Sequence, residues 1–194
     1  MHLISLFALS AALLGYLYFL RWFFSMNSKE NSLGIIFLGV FTICSMTMIE
    51  NVYFIAPYIL ICILWLPLSI QDIKTNSVSF QFLVLSLLAT LILSVYFKLS
   101  SLTGITLTIS VMISVRALVF AIEKLLNKQL IGGADYFAAV AFVSTLQGHT
   151  IGYWIICFSI FGILHGLLHA GYKKKIPLFP FMTSAWCFVF SVFN

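Results

Sequence analysis

The 194-residue chain contains only two aspartates, Asp72 and Asp135. Two carboxyls held about 3 Å apart cannot both ionise, so such a pair shares a proton. Its ionised member can deprotonate a water while the protonated member polarises a peptide carbonyl, which is the chemistry of an aspartic protease. Each residue also has a plain structural use. Asp135 can serve its helix as an N-cap, a role worth ~1 kcal/mol. Asp72 follows an apolar run that reads as a helix, where a negative charge is unfavourable by roughly 0.3–1 kcal/mol unless water solvates it. Other polar groups have less to offer. His165 and His169 are spaced i, i+4 and could fill two positions on a metal, but no third ligand of matched spacing accompanies them. Arg116 lies two turns before Glu123 and reads as a snorkelling or ion-paired side chain. Cys44, Cys62, Cys157 and Cys187 are scattered without a C-x-x-C pair and read as small buried hydrophobes.

The elements that must hold these residues follow from composition. Apolar residues make up 62% of the chain and charged residues 8%, against about 45–50% and roughly 25% in a soluble domain. That balance excludes disorder and predicts an integral membrane protein. Apolar runs of about 17–25 residues can cross a bilayer as helices. Eight are read here: Leu3–Phe24, Leu33–Ile49, Val52–Ile70, Val78–Phe97, Leu102–Ile122, Leu130–Leu146, Ile151–Tyr172 and Ile176–Phe193. The expected fold is therefore all-α, polytopic, in a single domain covering residues 1–194. Leu3–Phe24 reads as a retained helix rather than a signal peptide, because its first basic residue, Arg21, lies at its far end.

The net charge of +5 is distributed as a topology signal, not as a nucleic-acid footprint. If every run crosses, Arg21, Lys29, Lys74, Lys124, Lys128 and Lys173–Lys175 share one side and Lys98 alone occupies the other. The positive-inside rule makes the first side cytoplasmic, with both termini outside and both aspartates at the cytoplasmic boundary. Lys173–Lys175 reads as a headgroup anchor for membrane lipid. The sixth run is short: Gly132-Gly133-Ala134-Asp135 precedes an apolar part of only Tyr136–Leu146. Irregular backbone at membrane depth is tolerated only where protein or a water-filled cavity surrounds it, which marks this segment as a site.

Three motifs carry a resemblance to a known family. Gly132-Gly133-Ala134-Asp135 resembles the G-x-G-D motif of the type IV prepilin peptidases, which are polytopic aspartic proteases of bacterial inner membranes. Asp72-Ile73-Lys74-Thr75-Asn76-Ser77-Val78 resembles the context of that family's other aspartate. Ile176-Pro177-Leu178-Phe179-Pro180-Phe181 resembles its I-P-F-G-P-F segment. The likeness runs from about Leu60 to the C-terminus, so residues 60–194 would form the catalytic core. Ala134 and Phe179 stand where the family has glycine, Ser79 where it has proline, and the cysteine-rich cytoplasmic domain of larger members has no counterpart between the first two runs.

The resemblance implies Asp72 and Asp135 as catalytic residues, with Gly132, Gly133, Ala134, Pro177 and Pro180 supporting them. It implies cleavage of the leader peptide of a prepilin or pseudopilin at the cytoplasmic face, without a cofactor or metal. Many members also methylate the new N-terminus with S-adenosylmethionine, and no motif here carries that step. Read without the family, Pro177 and Pro180 are simply prolines of a first helical turn. The alternative function is a small ion-coupled transporter or membrane assembly subunit using the aspartates as a cation or proton relay. The paired glycines and the Ile-Pro-x-x-Pro segment have no evident use in a relay.

Overall fold

A computed structural model describes residues 39–40, 42–127, 132–168 and 178–193. After a helical stretch at 42–47 and a 3-10 turn, Val52–Phe54, come six helices: α1 (Ile55–Thr75), α2 (Phe80–Tyr96), α3 (Leu102–Leu126), α4 (Gly133–Val143), α5 (Thr150–Leu168) and α6 (Phe179–Phe193). Their ends follow local chemistry. Asn76 and Asn127 stop α1 and α3 in the left-handed conformation at φ 49°, which asparagine tolerates better than most residues. Ser101 starts α3 by accepting the Gly104 N–H at 3.0 Å, a standard N-cap bond.

The core lies where α6 packs on α5 and α1, with α4 wedged between α6 and α2. Trp65, Phe142 and Trp186 are fully buried there, with Phe142 4.8 Å from the Trp65 ring and 5.7 Å from the Trp186 ring. Tyr58 stacks on the other side of Trp186 at 5.5 Å. Buried indole N–H groups need acceptors, and each tryptophan in this cluster has one: Trp65 donates to Thr90 Oγ1 at 2.8 Å and Trp186 to Thr145 Oγ1 at 2.7 Å. Trp154, at the α5–α6 contact, donates to the Met182 carbonyl at 3.1 Å.

This architecture corrects the expected one. Among the described residues only two helical segments, Val52–Thr75 and Leu102–Leu126, are long and apolar enough to cross a membrane. Phe80–Tyr96, Gly133–Val143, the Thr150–Leu164 part of α5 and Phe179–Phe193 are apolar stretches of 10–17 residues, which is ~15–26 Å of helix against a ~30 Å hydrocarbon core. The run Val78–Phe97 overstates α2 at both ends, and the run Leu130–Leu146 continues past the end of α4 at Val143, because apolar residues continue into the turns. Leu3–Phe24 and most of Leu33–Ile49 lie outside the described residues. The eight-span polytopic fold is thus replaced by an all-α packed domain in which, among the described residues, two helical segments are long and apolar enough to span. The placement built on it, a multi-pass protein of the bacterial inner membrane with both termini outside, falls with the span count, as does the multi-span protease architecture.

The core makes a direct stability prediction. Phe142→Ala should cost about 3–5 kcal/mol, because it empties the space between two tryptophans. Thr90→Val should cost about 1–3 kcal/mol by stranding the Trp65 N–H. Denaturant unfolding midpoints check both, and a Phe142→Ala variant as stable as the parent would mean this cluster is not the core.

Candidate active site

Asp72 lies inside the last turn of α1 rather than after a helix end, since the helix runs on through Gln71–Thr75 before Asn76 stops it. Its carbonyl accepts the Asn76 N–H at 2.8 Å. Its side chain is buried, and Oδ2 accepts the Phe179 N–H at 3.1 Å. A carboxylate near the C-terminus of its own helix is thus satisfied by the N-terminus of another, where free N–H groups and the dipole favour negative charge. Gln71, one residue earlier, accepts the Ser79 N–H at 3.2 Å at the start of α2. The last turn of α1 therefore ties down the first turns of two neighbours.

Asp135 is the third residue of α4, and its Oδ2 reaches back to accept the Gly132 N–H at 3.0 Å. This is half of a capping box, in which the third residue serves the N-cap amide. The expected N-cap role thus belongs to Gly132, with Asp135 as its partner. Burial first and the charge of Asp72 second raise the Asp135 carboxyl to about 6, against the opposing bond from Gly132. Two carboxyls from distant parts of the sequence therefore share one electrostatic neighbourhood. No hydrogen bond joins them among the described residues; burial raises the Asp72 carboxyl while backbone bonds from Phe179 and Leu178 oppose it, and Asp135 is held by the Gly132 N–H.

The supporting residues divide clearly. A Cβ on Gly132 would meet Asp135 Oδ2 at 2.8 Å, whereas one on Gly133 would meet nothing within 4 Å. Gly132 is needed for the carboxylate to fold back, and Gly133 is not. Ala134 is helical and packs against the core, so its backbone has no need of the glycine found there in prepilin peptidases. Phe179, at the other glycine position, is buried and stacks on Trp65 at 6.1 Å, and its N–H is the partner of Asp72. Pro180 is buried as the second residue of α6, where the missing N–H costs nothing. Pro177 lies outside the described residues, as do His169 and Lys173–Lys175.

Several contacts were not visible as motifs. Arg116 does pair with Glu123, at 3.1 Å, and its guanidinium also lies 4.9 Å over the ring of Tyr136, the residue after Asp135. Among the described residues the buried Tyr136 hydroxyl has no partner within hydrogen-bond geometry, and its interaction with Arg116 raises the guanidinium further. Cys62 and Cys187 meet in the core with their sulfurs 3.9 Å apart. Among the described residues no group of three or more His, Cys, Asp or Glu could hold a metal.

No protein-family model, curated protein or solved structure matches the chain. The likeness to prepilin peptidases therefore rests on its three short motifs alone.

Two measurements test this geometry. Gly132→Ala should lose about 0.5–2 kcal/mol of stability with the capping bond, while Gly133→Ala should be neutral or stabilising by up to about 1 kcal/mol. Removing the charge at position 72 by Asp72→Asn should lower the Asp135 titration midpoint from about 6, as followed by carboxyl carbon NMR. An unchanged midpoint would mean that the two carboxyls do not face each other.

Proposed function

We propose that this chain is an aspartic endopeptidase with Asp72 and Asp135 as its catalytic pair. The observation that carries the reading is the electrostatic effect of one aspartate on the other: Asp135 is raised to about 6, chiefly by burial and partly by the charge of Asp72. Carboxyls whose environments hold one proton between them are suited to acid–base work near neutrality. The motif resemblance supplies the substrate class, a peptide leader preceding an apolar helix, as in a prepilin or pseudopilin. S-adenosylmethionine-dependent methylation has no residue assigned to it here.

In the proposed reaction Asp135 carries the shared proton and Asp72 is ionised. Asp72 takes a proton from a water, whose oxygen attacks the carbonyl carbon of the scissile bond. Asp135 gives its proton to the carbonyl oxygen, and a tetrahedral intermediate forms. Collapse of that intermediate breaks the C–N bond, the leaving nitrogen takes a proton from Asp72, and Asp135 recovers its own from the hydroxyl. The bonds from Phe179 and Gly132 fix one oxygen of each carboxyl, so the reacting oxygens need not reorganise.

Asparagine separates catalysis from capping. Its side-chain oxygen still accepts a backbone N–H, but the amide cannot take up a proton. Asp72→Asn and Asp135→Asn should each reduce cleavage of a synthetic prepilin leader peptide at least about 100-fold with the fold retained. The double variant should be little worse than either, as for residues that work as a unit. The pH profile gives an independent check. A pair sharing one proton is active only while it holds that proton, so kcat/KM should fall as pH rises through about 6, and fall again in acid when the second carboxyl protonates. Near-parental cleavage by either asparagine variant, measured at matched folded protein, would end the aspartic mechanism.

A further inference from the structure

The helix α3 is built differently from the others. Its 25 residues include an apolar stretch of which only 6% is buried, and it packs chiefly on the much shorter α4. Shielding follows one stripe: Ile105, Ile109, Met112, Arg116, Val119 and Glu123, spaced alternately by four and three residues. Such a stripe occupies about 100° of a helix. The remaining arc is apolar and open, with Leu107, Val111, Leu118 and Leu125 on one side and Ile113 and Phe120 on another. At its first turn α3 also borders an apolar groove lined by Leu91, Ile92, Val95, Tyr96, Leu102 and Ile105.

We infer that the open arc of α3 is immersed in lipid acyl chains, with its Arg116–Glu123–Lys124 end in the headgroup layer. Three features select lipid over a protein partner. An arc this wide exceeds what one packed helix covers, since a helix–helix contact uses a single stripe. Four of the five hydroxyls along α3, all but that of Thr103 in the first turn, are satisfied within the helix: Thr108, Ser110 and Ser114 donate to the carbonyls of Gly104, Thr106 and Ser110, and Thr106 to that of Thr103, all at 2.9–3.0 Å. Backbone and hydroxyl groups in hydrocarbon must find partners inside the protein, whereas water imposes no such demand. Finally, the charges are segregated. From Leu102 to Val115 there are none, and Arg116 points along the helix toward Glu123, to which it is bonded. Leu102–Ile122 spans ~31 Å, close to a ~30 Å hydrocarbon core, and Arg116, the one charge within it, reaches along the helix to Glu123 so that its guanidinium lies toward the headgroup end. Tyr136 lies under Arg116, so Asp135, next to it in sequence, would stand near the level of the headgroups.

Site-directed nitroxides test this on the full chain in phosphatidylcholine vesicles, with Cys44→Ser and Cys157→Ser to remove the accessible thiols. Labels are placed singly through Leu107→Cys, Val111→Cys, Ile113→Cys, Leu118→Cys and Leu125→Cys. Relaxation by oxygen, which concentrates in acyl chains, should exceed relaxation by a water-soluble nickel chelate at the first four positions and peak near 111–113. The chelate should dominate at 125. Three results would overturn the inference: chelate access along the whole arc, shielding from both reagents by another part of the chain, or dipolar broadening that disappears on dilution with unlabelled protein. The last would identify a second copy as the occupant.

Discussion

The bond from the Phe179 N–H to Asp72 Oδ2 holds the arrangement together. A buried carboxylate left without a donor costs several kcal/mol, and a buried helix start without an acceptor leaves orphan N–H groups. Joining the two removes both penalties and fixes the end of α1 against the beginning of α6. The seating of α6 follows from it. Phe179 reaches Trp65, and further along the helix Trp186 fits between Tyr58 and Phe142. Ser69 and Thr183 meet at 2.8 Å one turn in from the carboxylate, giving the same two helices a second polar tie. Asp72 is therefore a structural residue whether or not it is a chemical one.

The same applies to Asp135, and the two demands do not conflict. Capping uses one carboxylate oxygen as an acceptor, which leaves the other to exchange a proton. A helix start supplies rigid backbone amides, so a carboxyl held there does not have to be positioned by flexible side chains. Against this, partial burial and a neighbouring negative charge work to keep Asp135 protonated. In a folded protein such an opposition is costly for stability at neutral pH. It is a useful opposition if the proton has work to do.

How much of this could be read from the amino acids differs from part to part. The rarity of aspartate drew attention to positions 72 and 135, and the glycines before Asp135 marked a helix start. Nothing in the sequence identified Phe179 as the partner of Asp72, because that partner is a backbone amide whose position depends on the packing of α6. The pairing of Cys62 with Cys187 was invisible for a similar reason, being a property of two helices meeting. The span count failed on helix ends. Around α4, apolarity continues through Leu146, but the helix stops at Val143: Ser144 and Thr145 turn their hydroxyls onto the carbonyls of Ala141 and Phe142, and the next amides form three-residue turns. Hydropathy reports whether a side chain prefers oil, not whether its backbone is helical.

The hydroxyl groups show where composition stops being informative. Serines and threonines sit inside nearly every apolar run, and in the sequence they look alike. In the core they link elements: Thr90 and Thr145 accept from tryptophans, Ser94 donates to the Ser144 carbonyl at 2.8 Å, and Ser69 meets Thr183. The same hydroxyls also turn back on their own chain, Ser69 to the Trp65 carbonyl, Thr90 to that of Ser86 and Thr145 to that of Phe142, whereas on α3 the described hydroxyl bonds are of this second kind alone. Both arrangements satisfy the group, but only the first contributes to the specificity of packing, because it requires a partner at one place on another helix. A helix whose hydroxyls face inward asks nothing polar of its surroundings. That physical difference distinguishes the buried apolar helices of this chain from the open one, although their compositions are nearly the same.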